Sequence, residues 1–273
     1  MRDDRRVEPQ ALHDTARRYL TDRYAELWAD DSRPFPRYHV VNAMLAEIER
    51  LDADDLPPAP ELAVLLRRAA FEADSLFTRP SDETQAQAMA DERGLFATRV
   101  RDWAAQPDLH AEPVGYRRVL TKDESTEWRE RVEIRWGVAN LVWYPMLFSD
   151  VPRDVLIVQG STMWEEPKAE LIRQLLRELG AQRVIELREG GQDLAIELSL
   201  MAPRYYGGEE AVWVDESLAW IAYASHEDTV AFGGTLADRL RLPSNELLLD
   251  ESRDYRYWNG RHADVVADDE HPA

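Results

Sequence analysis

The sequence predicts an α+β protein, an all-helical N-terminal part followed by a C-terminal mixed α/β sheet. Two observations carry this. Up to about Trp103 the apolar residues recur at three- and four-residue steps, the period of a helix face. Beyond Pro113 they fall into short β-branched runs separated by glycines and polar turns. Composition agrees: 273 residues with 44% hydrophobic and 32% charged side chains hold enough apolar material for two cores.

In chain order, Leu12, Ala16, Tyr19, Leu20, Tyr24 and Leu27 mark the first helix. Pro34 and Pro36 force extended backbone and end it. Tyr38, Val41, Met44, Leu45 and Ile48 mark a second helix, and the acidic, proline-rich run Asp52 to Pro60 reads as a loop. Leu62, Leu65, Leu66, Ala69, Ala70 and Phe71 predict a strongly buried third helix. Ser81-Asp82-Glu83-Thr84 opens a fourth, because acidic residues suit the positive end of the helix dipole. Further on, Tyr116 to Leu120 is a candidate strand, and Thr121 caps a helix that Gly137 stops. Asp154 to Gln159 is the clearest strand, and a helix over 166–179 ends at Gly180. Arg183 to Leu187 and Leu194 to Leu198 form strands joined around Gly190-Gly191, and Ala211–Val214, Trp220–Tyr223 and Thr229–Phe232 complete the sheet. The expected organisation is a helical domain over 1–106, a linker over 107–113, a sheet domain over 114–249 and an acidic, partly disordered tail over 250–273.

The side chains present exclude several chemistries. There is no cysteine, hence no disulfide, no thiolate nucleophile and no cysteine-held metal. Lysine occurs only at Lys122 and Lys168, which leaves almost no candidate for Schiff-base or P-loop chemistry. A net charge of −20 repels phosphate backbones and anionic lipid, so the expected partner is a basic protein, with no nucleic acid and no membrane. No apolar run approaches the roughly 18 residues of a membrane span. MRDDRRVEPQ lacks the apolar core of a signal peptide, so the expected location is cytoplasmic.

Three constellations bear on chemistry. Ser225-His226-Glu227-Asp228 holds the residue types of a nucleophilic triad, but sequence neighbours in a strand point to opposite faces and no glycine elbow flanks Ser225. It reads as a polar hairpin turn, with His226 the best titratable candidate of this half, at a sheet end where pockets form. Gly207-Gly208 and Gly233-Gly234 do not fit the dinucleotide pattern and read as turns. Trp143-Tyr144-Pro145 is the expected exposed aromatic patch, with Trp143 and Tyr144 as a docking point; the remaining tryptophans of the second half read mostly as core.

Arg37-Tyr38-His39, then Phe71-Glu72-Ala73-Asp74 at the end of an apolar helix, then Ser81-Asp82-Glu83, resembles in order the predicted metal-dependent phosphohydrolases of the HD superfamily. The resemblance covers about a third of the chain and implies an HD-like helical domain. His39 matches the family's first histidine. Ala43, or its neighbours Asn42 and Met44, stands where the second belongs, and Phe71-Glu72-Ala73-Asp74 replaces the His-Asp pair. His39, Glu72 and Asp74 are thus weak metal candidates, suited to Mg²⁺ or Mn²⁺ if to any cofactor. Glu72 and Asp74 also fit an ordinary polar helix end, and His39 a satisfied interface histidine. The expected function is a non-catalytic binding or regulatory protein on a degenerate HD-like domain. The alternatives are a divalent-metal phosphohydrolase with a rearranged site, or an acidic immunity-type inhibitor of a basic partner.

Overall fold

The computed structural model describes residues 7–29, 37–143, 154–204 and 209–242, and the chain divides into two compact units, Met1–Val119 and Leu120–Ala273. The proline break at Ser32–Pro36, Gly207-Gly208, Tyr144 and the acidic tail lie outside the described residues.

The first unit holds α1 (Pro9–Ala29), α2 (Arg37–Ile48), α3 (Ala59–Glu72) and α4 (Glu83–Ala104), with a single 3-10 turn at Leu76–Thr78 and a short strand, β1 (Arg117–Val119). Asp82 caps α4 by accepting the Gln85 amide at 2.8 Å, which satisfies one of the free N–H groups of its first turn. The core forms where the apolar stripes meet. Leu12, Leu20, Val40, Ile48, Leu66 and Phe96 are fully buried, each worth about 2 kcal/mol of apolar transfer. In α3 the stripe Leu62, Leu66, Ala69 and Ala70, with Ala59 at its start, is buried, while Leu65 and Phe71 are exposed. The strongly buried helix expected from the sequence is therefore amphipathic, because these two residues lie off the face that meets α4.

The segment expected as a linker belongs to the helical unit. Arg18 donates to the Glu112 carbonyl and Arg17 to the Gly115 carbonyl, both at 2.9 Å, and the Val119 amide donates to the Glu49 carbonyl at 2.8 Å. These bonds hold the chain against α1 and the end of α2, so the division falls between Val119 and Leu120.

The second unit opens with α5 (Lys122–Trp136), closed at both ends by its own sequence. Thr121 and Glu124 form a capping box, and Gly137 adopts the left-handed conformation at φ 71° that ends a helix. There follow β2 (Val155–Gln159), α6 (Glu166–Glu178), β3 (Arg183–Arg188), β4 (Leu194–Glu197), β5 (Ala211–Val214), β6 (Trp220–Ser225), β7 (Thr229–Gly234) and α7 (Thr235–Leu240). The strands of this unit lie in the order β4-β3-β5-β6-β7-β2, and every pairing among them is antiparallel. The strands of this sheet, expected as mixed or antiparallel, are antiparallel throughout this unit. β5 and β6 are buried at every position, which is why they read as continuous apolar runs rather than alternating ones. Gly233-Gly234, expected as a turn, is the end of β7 running directly into α7.

Candidate functional site

The sequence singles out three places: His39 with Glu72 and Asp74, the turn at His226, and Trp143 with Tyr144. In the helical unit His39 lies on the first turn of α2, Glu72 is the last residue of α3 and Asp74 follows it. The His39 ring stacks on Phe77 at 4.9 Å between centroids and lies 4.0 Å from that of Tyr38; burial lowers its pKa below the ordinary histidine value. Glu72 pairs with Arg68 at 2.7 Å. Asp74 accepts the Thr78 hydroxyl at 2.8 Å, and that bond holds its carboxyl below the usual range. Each candidate ligand thus has its own partner, and among the described residues no three His, Asp or Glu side chains gather as a metal site. Where the HD pattern would need a second histidine, Ala43 and Met44 are buried in the core and Asn42 is exposed.

The same unit contains buried charges that sequence reading did not mark. Glu92 is 2% exposed and accepts from Arg23 at 2.7 Å and Arg37 at 2.8 Å; burial alone would raise its pKa, but the two guanidinium groups outweigh it and hold the carboxylate low. Glu49 is equally buried against Arg17 at 3.1 Å and Arg117 at 3.3 Å. His13 is fully buried as well. Its Nε2 lies 3.4 Å from the Ile48 carbonyl, and its Nδ1 finds no hydrogen-bond partner among the described residues. The carboxylates of these pairs and the His13 ring are closed off from solvent and hold elements of the unit together. A shallow groove of about 350 Å³ lined by Thr15, Arg18, Tyr19, Asp22 and His110 carries mixed charge, with no convergent set of like groups.

In the second unit, the turn between β6 and β7 carries His226 at one end of the sheet. Ser225 is completely buried and its hydroxyl oxygen accepts the Glu227 amide at 3.1 Å, the local closure expected of a polar turn. Asp228 completes the turn at φ 55°, a conformation Asp tolerates better than most residues. The His226 ring is held by Glu210 through Nδ1 and lies 3.2 Å from Glu227 through Nε2. Glu210 is buried at the start of β5, and Glu189, at the end of β3, accepts its amide at 3.3 Å. The hydrogen bond to Glu210, with Glu227 and Glu189 adding negative charge, raises the His226 pKa. The site is an acidic rim with one imidazole that stays protonated more readily than usual. It can hold a cation by charge; among the described residues it has no activated nucleophile.

Trp143 overturns one expectation. It is only 7% exposed and packs edge-on against Trp136 and Tyr223, with ring centroids 6.3 and 5.9 Å apart. The docking aromatic expected there is core, because Trp136 and the sequence-distant Tyr223 pack against it. Its companion Tyr144 lies outside the described residues. Among the described residues no helix is long and apolar enough to cross a membrane. Compared with known protein families, with curated proteins and with solved structures, the chain matches none.

Proposed function

We propose that this chain is a non-catalytic binding protein for a basic protein partner, with the sheet end around His226 as a contact surface and a helical unit that keeps the HD-like order of features without its ligand set. The carrying observation is the convergence of Glu189, Glu210 and Glu227 on His226. It stands in a unit that holds 30 of the 53 acidic residues but 16 of the 33 basic ones, a net of −14. Such a surface steers cationic partners over about a Debye length, roughly 8 Å at physiological salt, and so acts mainly on the association rate. A guanidinium arriving at Glu189 and Glu227, both exposed, would gain charge-assisted hydrogen bonds there.

The test is binding of a fluorescent amphipathic peptide of leucine and arginine to the full chain, with a leucine–glutamate peptide as control. The expected result is binding of the first alone, with an association rate that falls as salt rises. Replacing Glu189 and Glu227 together by Gln should slow association further. Equal binding of both peptides, or none, overturns the reading. So does metal-dependent phosphomonoester hydrolysis that disappears in His39→Ala, which would restore the phosphohydrolase alternative.

A further inference from the structure

The helical unit presents apolar side chains that its own core does not need. Trp28 at the end of α1 is 62% exposed, Leu76 is 77% exposed and Phe77 is 60% exposed. They belong to one surface. Trp28 meets Tyr38 at 5.3 Å between ring centroids, Tyr38 meets His39, and His39 stacks on Phe77 at 14° between planes. Tyr24 extends the row, stacked on Trp28 at 6.1 Å. Single exposed apolar residues are ordinary, but a continuous row of aromatic rings with its ends in solvent marks an interaction surface.

The charge around the row says what would cover it. Arg23 and Arg37 are turned onto the buried carboxylate of Glu92. Arg93 donates to the Ala70 and Ala73 carbonyls at 2.5 and 2.6 Å. Arg23 and Arg93 are thus turned to the interior and Arg37 largely so, while exposed Arg68 pairs with Glu72. Outward, the segment from Phe71 to Glu83 carries Asp74, Asp82 and Glu83 against Arg79, besides Glu72, which Arg68 pairs, and all of these are exposed. Exposed rings that end in an acid-rich segment complement a segment that combines apolar and cationic side chains. Arginine suits both, since its guanidinium stacks on aromatic faces and pairs with carboxylates. This chain makes that stack within its second unit, with Arg131 over Trp128 at 4.0 Å and Arg204 over Trp164 at 4.6 Å.

We infer that the row Trp28–Tyr38–His39–Phe77, with Leu76, is a docking surface for a cationic amphipathic segment of a partner protein. Arginine side chains of that segment lie over Trp28 and Phe77, and its apolar residues lie on Leu76. The inference rests on the proposed binding of a basic partner and adds a second surface, one that supplies residence time where the acidic sheet end supplies attraction.

Phe77→Ser, Trp28→Ser and Leu76→Ser probe it, each at a side chain exposed enough that the fold survives, with circular dichroism as the check. Against the leucine–arginine peptide, Phe77→Ser or Trp28→Ser should weaken binding about tenfold, chiefly through faster dissociation. The Glu189 and Glu227 substitutions should instead slow association. If the peptide binds and these three variants bind it as tightly as the parent, the docking surface is wrong while the basic-partner reading stands. If the peptide does not bind at all, the basic-partner reading itself fails. Two further outcomes overturn the inference by identifying another occupant: a parent dimer in sedimentation that Phe77→Ser converts to monomer, or partition of the parent onto neutral phosphatidylcholine vesicles that Phe77→Ser abolishes.

Discussion

Acid should loosen the helical unit through one side chain, His13. The ring is completely enclosed, and burial, reinforced by the positive charge of Arg17, pushes its pKa down to about 4 despite the Ile48 carbonyl. Unfolding returns it to about 6.5, so between these values the unfolded chain binds a proton that the folded chain refuses. Stability therefore falls as pH drops from 6.5 towards 4 and changes little from this source above 6.5. The interval corresponds to about 3 kcal/mol, at roughly 1.4 kcal/mol per unit. Asp14, 4.0 Å from Nδ1, acts in the opposite sense, because burial raises its carboxyl and favours its protonation in the folded chain. A difference experiment separates the two. His13→Leu removes the titration and keeps an apolar filling, at the cost of the bond to Ile48. Urea unfolding followed by circular dichroism at pH 7 and pH 4 should show the parent losing about 3 kcal/mol more than the variant across that span. Equal losses would refute the reasoning, as would a nuclear magnetic resonance titration in which the His13 ring takes up its proton near 6.5 in the folded chain.

Four further outcomes follow from other sites. Glu92→Gln leaves Arg23 and Arg37 facing a neutral amide at a buried position and should cost about 3 kcal/mol in thermal or urea unfolding. Gly234 sits at φ 63° with no room for a Cβ, which would meet the Ala219 carbonyl and lie 2.8 Å from Trp136; Gly234→Ala should destabilise by about 2–3 kcal/mol. Gly94 within α4 has open space around it, so Gly94→Ala should stabilise by about 0.5–1 kcal/mol, and a melting scan of the pair tests both signs. His226 should titrate above the ordinary histidine value in a proton resonance experiment, and Glu210→Gln should bring it down.

What could be read from the sequence was local. Thr121 with Glu124 and Gly137 delimit α5 because both caps are made by residues within a turn of the helix end. The β-branched run of β2 and the glycine-bounded hairpin of β3 and β4 were legible for the same reason. The short helix α7 was not, since six residues give too little periodicity and the glycine pair ahead of it resembles a turn. Misreadings concentrate where the deciding contact is remote. Trp143 is enclosed by Tyr223, and Phe71 faces outward because Leu62 and Leu66 define the buried stripe. At the sheet end, His226 could be placed on its hairpin, but the Glu210 that governs its charge comes from a different strand. The buried pairs of Glu49 with Arg17 and of Glu92 with Arg23 join residues from separate helices, and no spacing rule announces them.

The position of β2 at the far edge of the sheet governs the order in which this unit can be made. As the chain emerges during synthesis, β2 appears before any other strand of its unit, yet its partner β7 is the last, with Ile157 opposite Ala231. The β3–β4 hairpin and the β5–β6 pair can form from neighbouring segments while β2 waits. Val155, Leu156, Ile157 and Val158, all buried in the finished sheet, remain uncovered for that interval. A nascent chain halted before Thr229 would thus display a β-branched apolar strand with its edge unpaired, the kind of segment that seeds intermolecular pairing. Refolding of the sheet unit should lag that of the helical unit, because ring closure over so long a span must precede the contacts that reward it.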